Sequence, residues 1–145
     1  MENLLTFKFI TILACSIFSG AAIYINLVEH SARMSCGTEV AIAEWIPSYK
    51  RATIMQASLA VIGTICAISA WFKGANNWWL IGGVLFGLVI PYTFLIIMPI
   101  NKKLLSPTLE RTSLEANNYL TKWNKLHAIR SLLSSIALII FLLNY

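Results

Sequence analysis

The sequence predicts an all-α fold: an integral membrane, antiparallel four-helix bundle with an amphipathic interfacial helix before the last span. Three observations carry this expectation. Of 145 residues, 58% are hydrophobic and only 12% charged, which is far from the balance of a soluble domain. Four apolar runs, at about 7–28, 52–72, 78–98 and 126–143, each approach the roughly 20 residues that cross a bilayer as a helix. The basic residues also segregate. Among the Lys and Arg, only Lys8 and Lys73 fall on the side opposite the two long connections. The positive-inside rule then places both long connections in the cytoplasm and both termini outside. A single membrane domain over 1–145 follows, because the spans use most of the chain.

Span one holds Leu13-Ala14-Cys15, a weak lipobox-like string, yet the apolar run continues unbroken to Val28. The apolar part ahead of Cys15 is short for a signal-peptide core, so a retained span is expected. On leaving the membrane the same helix carries Asn26, His30 and Arg33 at i, i+4 and i+7, a single face. Glu29 sits one turn before Arg33 and suits an ion pair with it.

In the first connection Trp45 and Tyr49 suit an interfacial belt, and Lys50-Arg51 a basic rim. Pro47 suits a first helical position, so the second helix is expected to start near it. Gln56 then lies at hydrocarbon depth and demands a partner. Gly63, Ala67 and Ala70 permit close helix approach, and the short stretch 73–77 folds spans two and three into a hairpin with Trp78-Trp79 at the outer interface.

Span three contains Gly83-x-x-x-Gly87, which serves packing within one bundle or a homodimer through Gly83 and Gly87. Pro91 is expected to kink this span and Pro99 to end it, just before Asn101. From Ser106 to Asn124 the chain is polar, with Leu109, Leu114, Leu120 and Trp123 in an imperfect amphipathic pattern. This predicts an interfacial helix running into span four. Span four opens with Trp123, His127 and Arg130 at i, i+4 and i+7, and Ser134 continues the stripe.

Charge and cysteine usage exclude other classes. The net charge of +5 is accounted for by topology, with no interleaving of basic and aromatic residues that would argue for nucleic acid; Lys102-Lys103 suit anionic headgroups, making membrane lipids the expected surroundings. The three cysteines form no CxxC pair, which removes thiol-disulfide membrane enzymes. Cys15 and Cys66 read as small apolar residues, and Cys36 as a thiol that matters only if exposed.

Spans one and three end where two and four begin. Asn26, His30, Arg33, Tyr49, Gln56 and Asn101 therefore share one membrane depth with Trp123, His127 and Arg130. Polar side chains at that depth need partners or a wet cavity, so their convergence points to a pocket for a small aromatic or lipid-like ligand. The structural alternative is that they snorkel to headgroups and cap helix ends.

At these residues the chain resembles the small four-span membrane proteins grouped with fungal anthrone oxygenases. The resemblance rests on Glu29-His30-x-x-Arg33-Met34, on Trp45-x-x-Ser48-Tyr49 with Arg51 and Gln56, on Pro99-x-Asn101, and on Trp123-x-x-x-His127-x-x-Arg130. It implies an oxygenase that converts an anthrone, a planar tricyclic phenol, to an anthraquinone, with His30 and His127 as catalytic candidates; the same scaffold also suits another planar aromatic or quinone-like small molecule. A cofactor-free route needs a neutral imidazole as base, Arg130 or Arg33 to hold oxyanion charge, and Trp123 to stack on the ring. Asn26, Tyr49, Gln56 and Asn101 complete the expected binding surface. A non-haem metal on His30 and His127 with Glu29 or Glu44, or haem between the two histidines, has no ligand-pair spacing to support it, so no cofactor is expected. The alternative outside enzymology is a membrane protein that binds a lipid or small molecule, or an accessory subunit.

Overall fold

A computed structural model describes residues 2–145, and among the described residues every regular element is helical. Four helices are long and apolar enough to cross a membrane: α1 (Asn3–Ser35), α2 (Thr38–Phe72), α3 (Asn77–Leu104) and α4 (Leu114–Leu143). Each packs against its neighbours in sequence, and α1 also packs against α4, closing an up-down-up-down ring. Large apolar side chains such as Ile54, Phe72, Leu95 and Leu143 stay exposed on the outside, as a hydrocarbon solvent requires.

The helices reach well beyond the apolar runs that announce them. The second helix does not start at Pro47: it starts at Thr38, and Pro47 lies inside it. The turns ahead of the proline hold because Ala41, Ile42 and Trp45 are buried in an apolar cluster with Ile100, Leu104 and Leu120. Pro99 does not end the third span either, since helix continues to Leu104. The interfacial segment before the last span forms one unbroken helix with it, capped by the Ser113 hydroxyl, which accepts from the Ala116 N–H at 3.1 Å.

Two π-helical turns sit at one end of the bundle, Ile25–Glu29 in α1 and Thr93–Ile97 in α3. In each, the closing N–H reaches five residues back: His30 to the Ile25 carbonyl, and Met98 to the Thr93 carbonyl. Pro99, with no N–H to give, falls where the ladder of α3 returns from π to α spacing, which explains why it is tolerated there. The break expected at Pro91 takes the form of a turn at Leu88, after which helix resumes at Val89.

At the opposite end the core is made of Phe18, Trp79, Phe86 and Phe141 against alanines of α2 and α4. Glycine makes this possible. A Cβ on Gly63 would lie 2.6 Å from the Phe86 ring, and one on Gly82 2.6 Å from the Phe141 ring. Gly83 and Gly87 face Ala67 and Thr64 of α2, so the GxxxG spacing serves the α2–α3 contact within the chain. Trp79 is fully buried and stacks near Phe141 at 5.1 Å, while Trp78 alone of that pair remains exposed.

Candidate functional site

Each of the nine polar and aromatic residues singled out from the sequence lies at the end of the bundle carrying the π turns. Asn26 lies in the π turn of α1 and bonds to α4. Its Nδ2 donates to the Asn124 carbonyl at 3.0 Å and to Asn124 Oδ1 at 2.6 Å, which fixes the orientation of the amide. Its Oδ1 accepts from Ser131 Oγ at 2.6 Å and lies 2.9 Å from His127 Nδ1. An oxygen in that position only accepts, so His127 carries its proton on Nδ1 and keeps the lone pair on Nε2. Among the described residues nothing bonds to that Nε2.

His127, only 2% exposed, lines a chamber together with Arg33, Tyr49, Gln56, Asn101 and Trp123. Arg130, Trp45, Ser48 and Thr53 complete its polar and aromatic wall. The aromatic side is ordered by mutual contact: Tyr49 stacks on Trp45 at 4.8 Å, Trp45 meets Trp123 edge-on at 5.7 Å, and Trp123 stacks on His127 at 4.8 Å. Trp45 is fully buried and is a wall of this chamber, not a member of an interfacial belt.

Two of the expected residues do not line the chamber. Asn26 stands behind His127, and His30 packs against Trp123 with ring centroids 5.8 Å apart. Both are nonetheless buried. The two arginines differ in their electrostatics. Arg33 pairs with Glu29 and lies 2.6 Å from Glu44 Oε2, while Ser48 Oγ donates to Glu29 at 2.6 Å. Arg130 donates to Gln56 Oε1 at 2.8 Å and lies over the Phe18 ring at 5.2 Å, but no carboxylate pairs with it among the described residues. A guanidinium held at this depth without an acidic partner is a standing demand for negative charge.

The hydrogen-bond inventory of the wall is lopsided. Asn101 Nδ2, Gln56 Nε2, Trp45 Nε1, Trp123 Nε1 and Arg130 Nε are buried N–H groups without an acceptor. Against them stand Asn101 Oδ1, also unpartnered, and the His127 lone pair. Each unmet buried donor costs roughly 1–3 kcal/mol.

The chamber encloses about 20 Å³, enough for one water. Two larger spaces flank it. An apolar compartment of about 70 Å³ between α2 and α3 shares Tyr49, Thr53, Gln56 and Arg130 with it. On the other flank an open groove of about 840 Å³ between α1 and α2 shares Ile25, Ser48 and Ala52. A planar ring bound here must push back the side chains common to the chamber and its neighbours. Both π turns contribute to the wall, through Ile25 and Ile97, and such turns are frequent where helices serve function.

No three His, Cys, Asp or Glu side chains gather to hold a metal among the described residues. The two histidines are separated in role, one tied to Asn26 and the other set against Trp123.

A family profile described as anthrone oxygenase matches residues 45–140, more than half of the chain. The chain belongs to the anthrone oxygenase family. No curated protein and no solved structure matches it. Within the matched region lie Trp45, Tyr49, Gln56, Asn101, Trp123, His127 and Arg130, whereas Asn26, His30 and Arg33 precede it. The α1 wall therefore rests on the geometry just described and not on the family match.

Proposed function

We propose that this member of the anthrone oxygenase family is a membrane oxygenase for an oxygen-rich aromatic carbon acid, with His127 as general base. The observation that carries the reading is the pairing of one free imidazole lone pair with a wall of unmet N–H donors and an uncompensated guanidinium. That combination suits a substrate that loses a carbon-bound proton and spreads the resulting charge onto ring oxygens.

In this mechanism Nε2 of His127 takes the proton from the doubly benzylic carbon. Asn26 holds the imidazole by its Nδ1–H, and Arg130, supported by Gln56, faces the enolate oxygen. The electron-rich carbon combines with dioxygen, and the new C–O bond carries a peroxide. Protonation gives a hydroperoxide, which loses water and leaves a carbonyl. One oxygen atom ends in the product and the other in water. Trp123 and Trp45 stack against the ring, and Asn101 offers both a donor and an acceptor to its substituents. His30 and Arg33 support the wall from α1. The charge bias of the sequence orients the chamber to the cytoplasmic end, with both termini outside.

The test is oxygen uptake and quinone formation by purified protein with 1,8-dihydroxyanthrone, in the presence of a chelator. Turnover is expected to survive chelation. His127→Ala is expected to lower kcat by about 10²–10⁴-fold, and Arg130→Met by about 10²–10³-fold. Full activity in the His127 variant would overturn the assignment of the base.

A further inference from the structure

The chamber is closed towards the end of the bundle. Ala41 and Ile42 at the start of α2, Leu104 at the finish of α3, and Ala116 and Leu120 at the start of α4 pack into one buried apolar cluster beyond it. Its flank, by contrast, borders the open groove between α1 and α2 at Ile25, Ser48 and Ala52, which line both spaces. From that junction the groove continues past Ala21 to Gly20 on α1 and to Met55 on α2. Because α1 runs towards the chamber end and α2 away from it, Gly20 and Met55 lie deeper in the membrane than the junction. Glu29 and Glu44 lie at the opposite, shallow rim, and Arg51 lies level with the junction, between Ser48 and Ala52 on α2.

We infer that the ligand is bipartite: an oxygen-bearing aromatic head held in the chamber, and an apolar tail lying in the α1–α2 groove and pointing towards the bilayer centre. This rests on the proposed function for the head and goes beyond it for the tail. Three features argue for the tail. The chamber, about 20 Å³, has no room for a tail, whereas the groove, about 840 Å³, lies directly beyond the Ile25, Ser48 and Ala52 side chains that line both spaces. The floor of the groove is kept low by Gly20, whose added Cβ would meet no atom within 4 Å. From the junction at Ile25 to Gly20 the groove follows α1 for roughly 7–8 Å at 1.5 Å per residue, the scale of a short alkyl chain lying along the helix. The substrate class is then a lipid-tailed phenol or quinone that reaches the site sideways from the bilayer.

A matched pair of probes tests this: 2-methyl- and 2-decyl-1,4-benzoquinone, titrated into the full chain in phosphatidylcholine nanodiscs. Binding is read by quenching of tryptophan emission, with concentrations expressed per mole of lipid so that simple partitioning cancels. The decyl compound is expected to bind at least about tenfold more tightly, the scale of apolar pocket contacts. Gly20→Trp fills the groove from an open position and is expected to bring the two affinities within about twofold. Ile65→Trp, which puts the same bulky side chain on an exposed part of α2 outside the groove, is expected to keep the preference. No preference in the wild type, no binding of either probe, or a preference that persists in Gly20→Trp would each overturn the tail site, the last by showing that the tail merely rests in lipid. Turnover of tail-less 1,8-dihydroxyanthrone reports on the chemistry separately, so the groove can fail while the oxygenase reading stands, and the reverse.

Discussion

At the scale of single residues, Asn26 shows how a side chain can matter without touching the cavity. Its amide is held by two oxygens of Asn124, and this makes its own oxygen the acceptor that selects the His127 tautomer. Asn26→Ala leaves Ser131 Oγ and the His127 Nδ1–H without that acceptor. Stability is expected to fall by about 1–3 kcal/mol and kcat by at least about tenfold. The decisive readout is the ¹⁵N spectrum of the imidazole, which should lose its single Nδ1–H form; an unchanged tautomer alongside lost activity would reduce Asn26 to packing. The sequence placed Asn26 on the right face, at i with His30 and Arg33, but spacing alone does not separate a residue lining a cavity from one behind its wall. Trp45 was hidden for a different reason. Beside Lys50-Arg51 a tryptophan has the composition of a membrane belt, and only the helix that extends back to Thr38 turns it inward.

At the scale of elements, helix existence was legible and helix ends were not. Hydropathy marks where lipid touches the chain, whereas the ends of α2, α3 and α4 are held by burial against one another around Ile42, Leu104 and Leu120. The two prolines mislead in the same way: Pro47 and Pro99 fit rules for helix boundaries, yet tertiary packing and a π turn absorb them. The π turns themselves have no sequence signature here. Glycine contacts are more predictable in their consequence. Gly63→Ala would bring a methyl carbon to 2.6 Å from the Phe86 ring, which is fully buried and locked edge-on against Phe18 at 5.3 Å. Overpacking of this kind is expected to cost about 1–3 kcal/mol. Thermal unfolding in detergent checks it, and the neighbouring site should keep its activity because the contact lies in the other core cluster. A variant as stable as the parent would mean that Phe86 has room to move.

At the scale of the whole molecule, the antiparallel order makes the site possible, since only an up-down-up-down ring gathers the ends of α1 and α3 with the starts of α2 and α4. The same order ties the site to one face of the membrane, and the charge distribution says which. Most Lys and Arg lie on the chamber side, with Lys8 and Lys73 opposite, so the connection between α1 and α2 is expected in the cytoplasm. Cys36 offers a direct check. It is exposed in that connection, whereas Cys15 and Cys66 are buried within the spans. A membrane-impermeant maleimide is therefore expected to label Cys36 in inside-out vesicles and after permeabilisation, and to leave it unlabelled in intact cells, with Cys36→Ser abolishing the signal. Labelling from outside intact cells would invert the topology. It would turn the chamber towards the exterior and leave the helix packing, the His127–Asn26 pair and the lateral groove unchanged, because those depend on contacts within the bundle and not on which way it faces.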